Sequence, residues 1–394
     1  MRPRLAGLLT VVLCYVWHTV AVYLPLHEYA GATFFDGWDY WGDIDNTTWG
    51  NVTYLDRTNA TTTRLTYVND AGHAIVRVDN TTTILDAPLV HRESIRLTSK
   101  EAYGVGTVWI IDAVHIPYGC SVWPSFWTLG VGEQEWPANG EIDIIEGINM
   151  MNHNQIALHS RPGCMQAANP TQSGQTLERN CSLDRGCIVA ENKPNSFGRG
   201  FAEAGGGVYA VQMDISGVFV WFWSRPDIPE GIKSATSTSH MDIATWGMPT
   251  ASYPVSGCNI TDFFTPQKLV LLTTLCGSWA GIPSLYSSTC PGSCINDNII
   301  GPGSPKYDQA YWEVSYIRTY IAEDLAGSTP PGSSSSPTQP GSPTSQPINP
   351  VNPSQSSDSD SDSPTPTQSK PASAGTRTAV SMISVLLSFV VQLF

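Results

Sequence analysis

The chain has 394 residues, a formal net charge of −14 and a charged fraction of only 14%, alongside 13 Trp and 15 Tyr. The acidic balance, with no cluster of Lys and Arg, excludes a nucleic-acid partner, which requires concentrated positive charge. Few charges and many aromatics favour a neutral polar ligand, and the length admits one large domain.

Arg2 and Arg4 precede an apolar stretch from Leu5 to Trp17, and Thr19, Val20 and Ala21 follow as a small-residue exit. This is the layout of a secretory signal peptide over residues 1–21, so the mature chain is expected to start near Val22. Asn46, Asn51, Asn59, Asn80, Asn180 and Asn259 head N-x-S/T acceptors, which suit an exported protein and predict exposed loops wherever a glycan is attached.

From about residue 30 to 322, short β-rich runs alternate with turn residues, and helical periodicity is scarce. Residues 63–68 and 74–78 flank Asn69, Asp70, Ala71 and Gly72 and read as a hairpin; residues 208–213 and 218–223 form a second. Val105 to Ala113, Leu269 to Leu275 and Tyr311 to Tyr320 are longer runs suited to an interior. The class is therefore all-β: a two-sheet antiparallel sandwich in which one curved sheet provides an open cleft.

Within this region, Gly140-Glu141-Ile142-Asp143-Ile144-Ile145-Glu146-Gly147 sets three acids in an otherwise apolar run. On a regular strand Glu141 and Asp143 share a face while Glu146 points the other way. A one-residue β-bulge between Asp143 and Glu146 corrects the phase and gathers all three carboxyls on one face. Two carboxyls about 5–5.5 Å apart are what a retaining glycosidase needs, one as nucleophile and one as general acid/base. A strand with an acidic solvent face is the competing reading. Trp123, Trp127 and Trp136, crowded just upstream, weigh against it, because indoles provide stacking surface for sugars.

Cys14 falls in the leader, leaving Cys120, Cys164, Cys181, Cys187, Cys258, Cys276, Cys290 and Cys294. An even set in an exported chain implies up to four disulfides whose pairing stays open, with local staples expected at Cys181/Cys187 and Cys290/Cys294. The catalytic domain is bounded at 22–324. Residues 325–375 turn abruptly to Ser, Thr, Pro, Gly and Gln, a disordered stalk that cannot bury a core. Residues 376–394 are an apolar tail preceded by small residues, read as a GPI-anchor signal or, failing that, a tail anchor.

The acid motif, the W-P-x-F-W stretch at 123–127, Ser94-Ile95-Arg96-Leu97, Gln155 to His159, Thr245 to Pro249, Cys276 to Gly281 and Ala310 to Val314 together resemble glycoside hydrolase family 16, in its fungal laminarinase-like branch. The resemblance implies a concanavalin-like jelly roll and a retaining endo-β-1,3(4)-glucanase acting on β-1,3- or mixed-linkage glucan as a monomer. Glu141 would be the nucleophile, Asp143 its helper and Glu146 the acid/base. Trp127, Trp136, His159, Trp279 and Arg96 would bind substrate. Trp123 is expected in the core, and Trp221 and Trp223 share a face that serves either core or cleft. No cofactor is required, although a structural Ca²⁺ occurs in some relatives. Ser278 and Thr53 depart from the family pattern, in positions that bear on sugar subsites. A wall-remodelling transglycosylase and a non-catalytic glucan-binding protein are the alternatives. The protein is expected outside the cell, tethered at the surface or wall.

Overall fold

The computed structural model describes residues 22–87 and 89–326; the expected leader, the stalk beyond 326 and the apolar tail lie outside the described residues. Two antiparallel sheets dominate. One has eight strands in the order Gln175–Thr176, Cys187–Ala190, Gln155–His159, Glu141–Glu146, Val122–Gly130, Gln267–Leu275, Arg96–Tyr103 and Trp38–Tyr40. The other has nine, with the path Met241–Asp242, Val22–Ala30, Tyr311–Ala322, Thr107–His115, Gly207–Asp214, Gly217–Ser224 and Ala251–Pro254, and a hairpin of Thr66–Val68 and Ala74–Arg77 paired to Tyr311–Ala322.

The main core lies between the sheets. Leu97, Phe126, Ile142, Ile144, Ile145 and Leu271 come from the first sheet; Trp109, Ile111, Tyr209, Val211 and Phe222 come from the second. This is the period-2 pattern of strands with one face turned inward. The second sheet is also covered on its other face. Val108, Ile110, Val208, Trp221 and Trp223 pack there under Ile228, Ile232 and Trp246, which explains why Thr107–His115 reads as an almost unbroken apolar run. The indoles of Trp221 and Trp223 therefore belong to this outer cluster rather than to a sugar cleft.

Both predicted hairpins are present, joined at 69–73 and at 214–217. The run expected at 105–113 begins at Thr107 because Gly104 to Gly106 form a turn, with Gly106 at φ +93°. All eight cysteines among the described residues are paired: Cys120–Cys290, Cys164–Cys258, Cys181–Cys187 and Cys276–Cys294. The local staple at Cys181/Cys187 is as expected. Cys290 and Cys294 do not join each other: Cys290 bonds Cys120 and Cys294 bonds Cys276, both from segments earlier in the chain. The Cys120–Cys290 link spans 170 residues, and closing so long a loop removes up to about 5 kcal/mol of denatured-state entropy in the chain-closure description.

Candidate active site

The acid strand carries the irregularity its sequence predicts. Asp143 pairs with Ala157 and Glu146 with Gln155, so pairing with Gln155–His159 breaks register between Asp143 and Glu146. Against Val122–Gly130 the break falls between Trp127, opposite Asp143, and Phe126, opposite Ile145. One residue is extra. Ile144 and Ile145 consequently both enter the core, and Glu146 returns to the face already occupied by Glu141 and Asp143.

A bulge frees ladder groups that must find other partners. Here Asn154, fully buried, supplies them: its Oδ1 accepts from the Glu146 N–H at 2.9 Å and its Nδ2 donates to the Ile144 carbonyl at 2.8 Å. Nothing in the local sequence singles out Asn154, because its role exists only once the bulge has formed. At the start of the strand Gly140 sits at φ +80°, and a Cβ there would come within 2.4 Å of the Phe264 ring. Only glycine lets the chain enter the strand at this angle.

Glu141 Oε2 accepts from the Trp136 indole N–H at 2.8 Å, while its Oε1 lies 3.8 Å from His159 Nε2. One oxygen thus accepts an N–H, which favours the ionised carboxylate. Glu146 takes its two donors, Trp123 Nε1 and Ser125 Oγ, on the same oxygen, each at 2.9 Å, which leaves Oε2 free to carry a proton. Asp143 stands between them, with His159 Nε2 at 3.1 Å from its Oδ2. His159 Nδ1 and Asp143 Oδ2 are both buried without a hydrogen-bond partner, so imidazole and carboxyl are in close contact without an aligned bond between them.

Burial raises all three acids. Glu141 is pushed up to about 8, mainly by burial and then by the Asp143 charge, against the opposing influence of His159 and the Trp136 N–H. Burial takes Asp143 to about 8. Glu146 reaches about 7, with Asp143 adding to burial and the Trp123 and Ser125 hydrogen bonds opposing. The trio titrates as a unit and retains protons near neutrality that free carboxyls would have lost; the donor geometry decides which carboxyl holds them.

Of the aromatic residues expected near substrate, Trp136 is 54% exposed and its ring lies 5.5 Å from that of His159. Trp127 is half-buried beside Asp143 in the pairing register. Trp279 is half-buried on the short helix Gly277–Ala280, edge-on to Trp123 at 5.4 Å. Trp123 is buried as expected, yet it is more than core: its N–H bonds a site carboxyl. Arg96 is almost fully buried, with its guanidinium 4.5 Å from the Trp41 ring and 5.4 Å from the Trp127 ring. It braces two indoles from behind, and Trp41, 40% exposed, is the surface it presents. The resemblance had pointed to Arg96 without Trp41.

A loop over residues 45–50 extends this edge. The buried Asp45 carboxylate accepts from the backbone of Thr47, Thr48 and Gly50 and from the hydroxyls of Thr47, Thr48 and Thr274. Burial alone would raise its pKa, but these bonds together outweigh that and hold it below the usual value. Thr47 also accepts from Arg96, and the loop displays Trp49, 73% exposed at φ +58°. Ser278, one of the two departures, is exposed, and its N–H bonds the Thr48 carbonyl of this loop. Thr53 lies 3.5 Å from His91 through its hydroxyl.

Among the described residues, Glu141, Asp143 and His159 bring three ligand-type atoms within 4.8 Å of one another, a set whose chemistry could accept a divalent cation. Asp143 Oδ2 is buried there without a hydrogen-bond partner, its nearest charged-type neighbour being His159 Nε2 at 3.1 Å. A hollow of about 310 Å³ bordered by Asp112, Arg225 and Tyr316 lies on the other sheet, where Arg225 and Asp112 satisfy each other at 2.7–2.8 Å. The acids are not there; they line an open face.

A β-sandwich with a carboxylate trio on its open sheet face defines a carbohydrate-active jelly-roll protein. The pattern of the XgeA-like catalytic GH16 domain matches residues 38–320, and the chain belongs to glycoside hydrolase family 16. It is 37% identical to a "Probable glycosidase" of Schizosaccharomyces pombe over 76% of this chain and 69% of the relative. It is 34% identical to endo-1,3(4)-beta-glucanase xgeA of Emericella nidulans over 77% of this chain and 48% of that protein. The chain therefore spans about half the length of the endo-1,3(4)-β-glucanase relatives it matches. Among solved structures, Laminarinase 16A of Phanerochaete chrysosporium, holding 6-O-glucosyl-laminaritriose in donor and acceptor sites, superposes with a TM-score of 0.71 at 34% identity, covering 76% of this chain and all of that one. An elongating family 16 β-1,3-glucosyltransferase gives 0.68 at 37% identity with the same coverage.

Proposed function

We propose that the protein is a retaining endo-β-1,3(4)-glucanase. The observation that carries this reading is the bulge that sets Glu141, Asp143 and Glu146 on one open, indole-lined face. Glu141, one oxygen held by the Trp136 N–H, attacks the anomeric carbon. Glu146 Oε2 delivers a proton to the departing glycosidic oxygen, and the same oxygen then takes a proton from the water that releases the glycosyl-enzyme. Asp143 lies beside both, with His159 Nε2 3.1 Å from its Oδ2, and holds Glu141 in register. Trp136 and Trp127 offer stacking surface, and endo action on the middle of a polymer is the expected mode. The chemistry needs no cofactor or metal, so activity is expected to survive chelation; a structural Ca²⁺ would show itself as a chelator-dependent loss of stability alone.

The protein is expected to act as a monomer on β-1,3- or mixed-linkage glucan, exported, glycosylated and tethered at the cell surface or wall. The exposed acceptors Asn46, Asn59 and Asn259 suit glycans best. Release of reducing ends from laminarin, lichenan and barley glucan tests the activity, and Glu141→Gln should reduce it at least a thousandfold. A Glu141→Gln protein as fast as the parent would falsify the nucleophile assignment. The similarity to an elongating transferase favours a second reading, transfer to a sugar acceptor, for which products longer than the supplied oligosaccharide are the signature.

A further inference from the structure

Gly186 is the residue that closes the back of the site, although it lies 40 or more positions from the acids in sequence. It sits at φ +70° in the loop sealed by Cys181–Cys187. A Cβ built on it would meet the Leu158 carbonyl at 2.6 Å, His159 Nε2 at 2.9 Å and His159 Cε1 at 3.0 Å. The absence of a side chain is thus what allows the loop to rest against the imidazole. The loop is stitched to the backbone on both sides of His159: Ser160 N–H donates to the Cys181 carbonyl at 3.0 Å, and Cys187 pairs with Leu158 in the sheet. Inside the loop, Gly186 N–H bonds the Leu183 carbonyl at 2.8 Å, which fixes the turn that presents Gly186.

We propose that Gly186 and the Cys181–Cys187 loop are positioning elements for the glucanase reaction, forming the floor that holds the His159 imidazole with Nε2 on Asp143. The proposal rests on the glucanase reading above. The ring has Trp136 near it at 5.5 Å and a buried, unpartnered Nδ1, so no hydrogen bond from behind orients it. Contact with the loop does so instead. A methyl group at 186 meets a backbone carbonyl and the ring together. The ring is the softer of the two, and it yields by turning away from Asp143.

The test uses Gly186→Ala, the double variant Cys181→Ser/Cys187→Ser, and Asp184→Asn as a control at the exposed loop tip. Steady-state rates on laminarin across pH, thermal unfolding, and the NMR titration of the His159 imidazole are measured for each. Gly186→Ala should lower kcat roughly tenfold or more with KM nearly unchanged, since misplacement by an ångström costs on that scale. It should also displace the pH profile and the His159 titration. The serine pair, which keeps the glycine but opens the loop, should show the same displacement to a smaller degree, and Asp184→Asn none. A folded Gly186→Ala or serine-pair protein with parental kcat and pH profile overturns the proposal. So does a kcat loss with the parental pH profile and His159 titration, which would mark a merely structural role. A parent that releases no reducing ends sinks the glucanase reading instead, and the His159 titration in Gly186→Ala then still decides whether Gly186 places the ring.

Discussion

Asp143→Asn should make the protein more stable near neutrality and alter how stability depends on pH. Burial holds the Asp143 proton up to about 8, whereas in the unfolded chain the same carboxyl loses it near its ordinary value of 3.8. Between those limits the folded state binds more protons than the unfolded state, so stability falls as pH rises, by about 1.4 kcal/mol per pH unit for each proton held. From pH 5 to pH 7 Asp143 alone therefore costs about 3 kcal/mol, and the raised Glu141 and Glu146 act in the same direction. The amide has no proton to keep. The variant should therefore lose less stability than the parent over that interval, by about 3 kcal/mol. Urea unfolding at a series of pH values from 5 to 8, with the disulfides intact, measures the two slopes directly. A parent whose stability rises over that range, or an Asp143→Asn protein with the parental slope, refutes the account of buried, proton-holding acids. The gain in stability is expected to come with a large loss of kcat, since the Asp143 carboxyl stands between the two glutamates and beside His159.

Trp123→Phe keeps the ring but removes the N–H that lowers Glu146, so Glu146 should move further up and the alkaline limb of the kcat profile should shift to higher pH; an unshifted limb means that bond is not felt. Asn154→Ala strips both partners from the bulge and buries two unpaired backbone groups, which should cost about 2–4 kcal/mol of stability and at least tenfold in kcat; loss of stability without loss of kcat in the folded fraction contradicts the role given to the bulge. Asp45→Ala releases the loop that displays Trp49 and braces Arg96, and is expected to raise KM several-fold while leaving the pH profile in place. Equal KM values for parent and variant on long and short glucans would show that this edge does not touch substrate.

The amino-acid order alone determined the all-β class, the two hairpins and the placement of the acids, because alternation along a strand is a local rule that sequence states outright. Even the need for a bulge was legible, since Glu141 and Glu146 are an odd number of residues apart and cannot otherwise share a face. What supports the bulge was not. Asn154 matters because folding brings its amide beside two ladder groups that regular pairing would have satisfied, and Trp123 turns from core filler to hydrogen-bond donor because the register places Glu146 next to it. The pairing of Cys290 with Cys120 and of Cys294 with Cys276, the burial of Arg96 behind Trp41, and the removal of Trp221 and Trp223 to the outer cluster likewise depend on contacts between distant segments. Spacing along a chain reports which way a side chain points on its own strand; which neighbour waits there is settled only when the sheets close over one another.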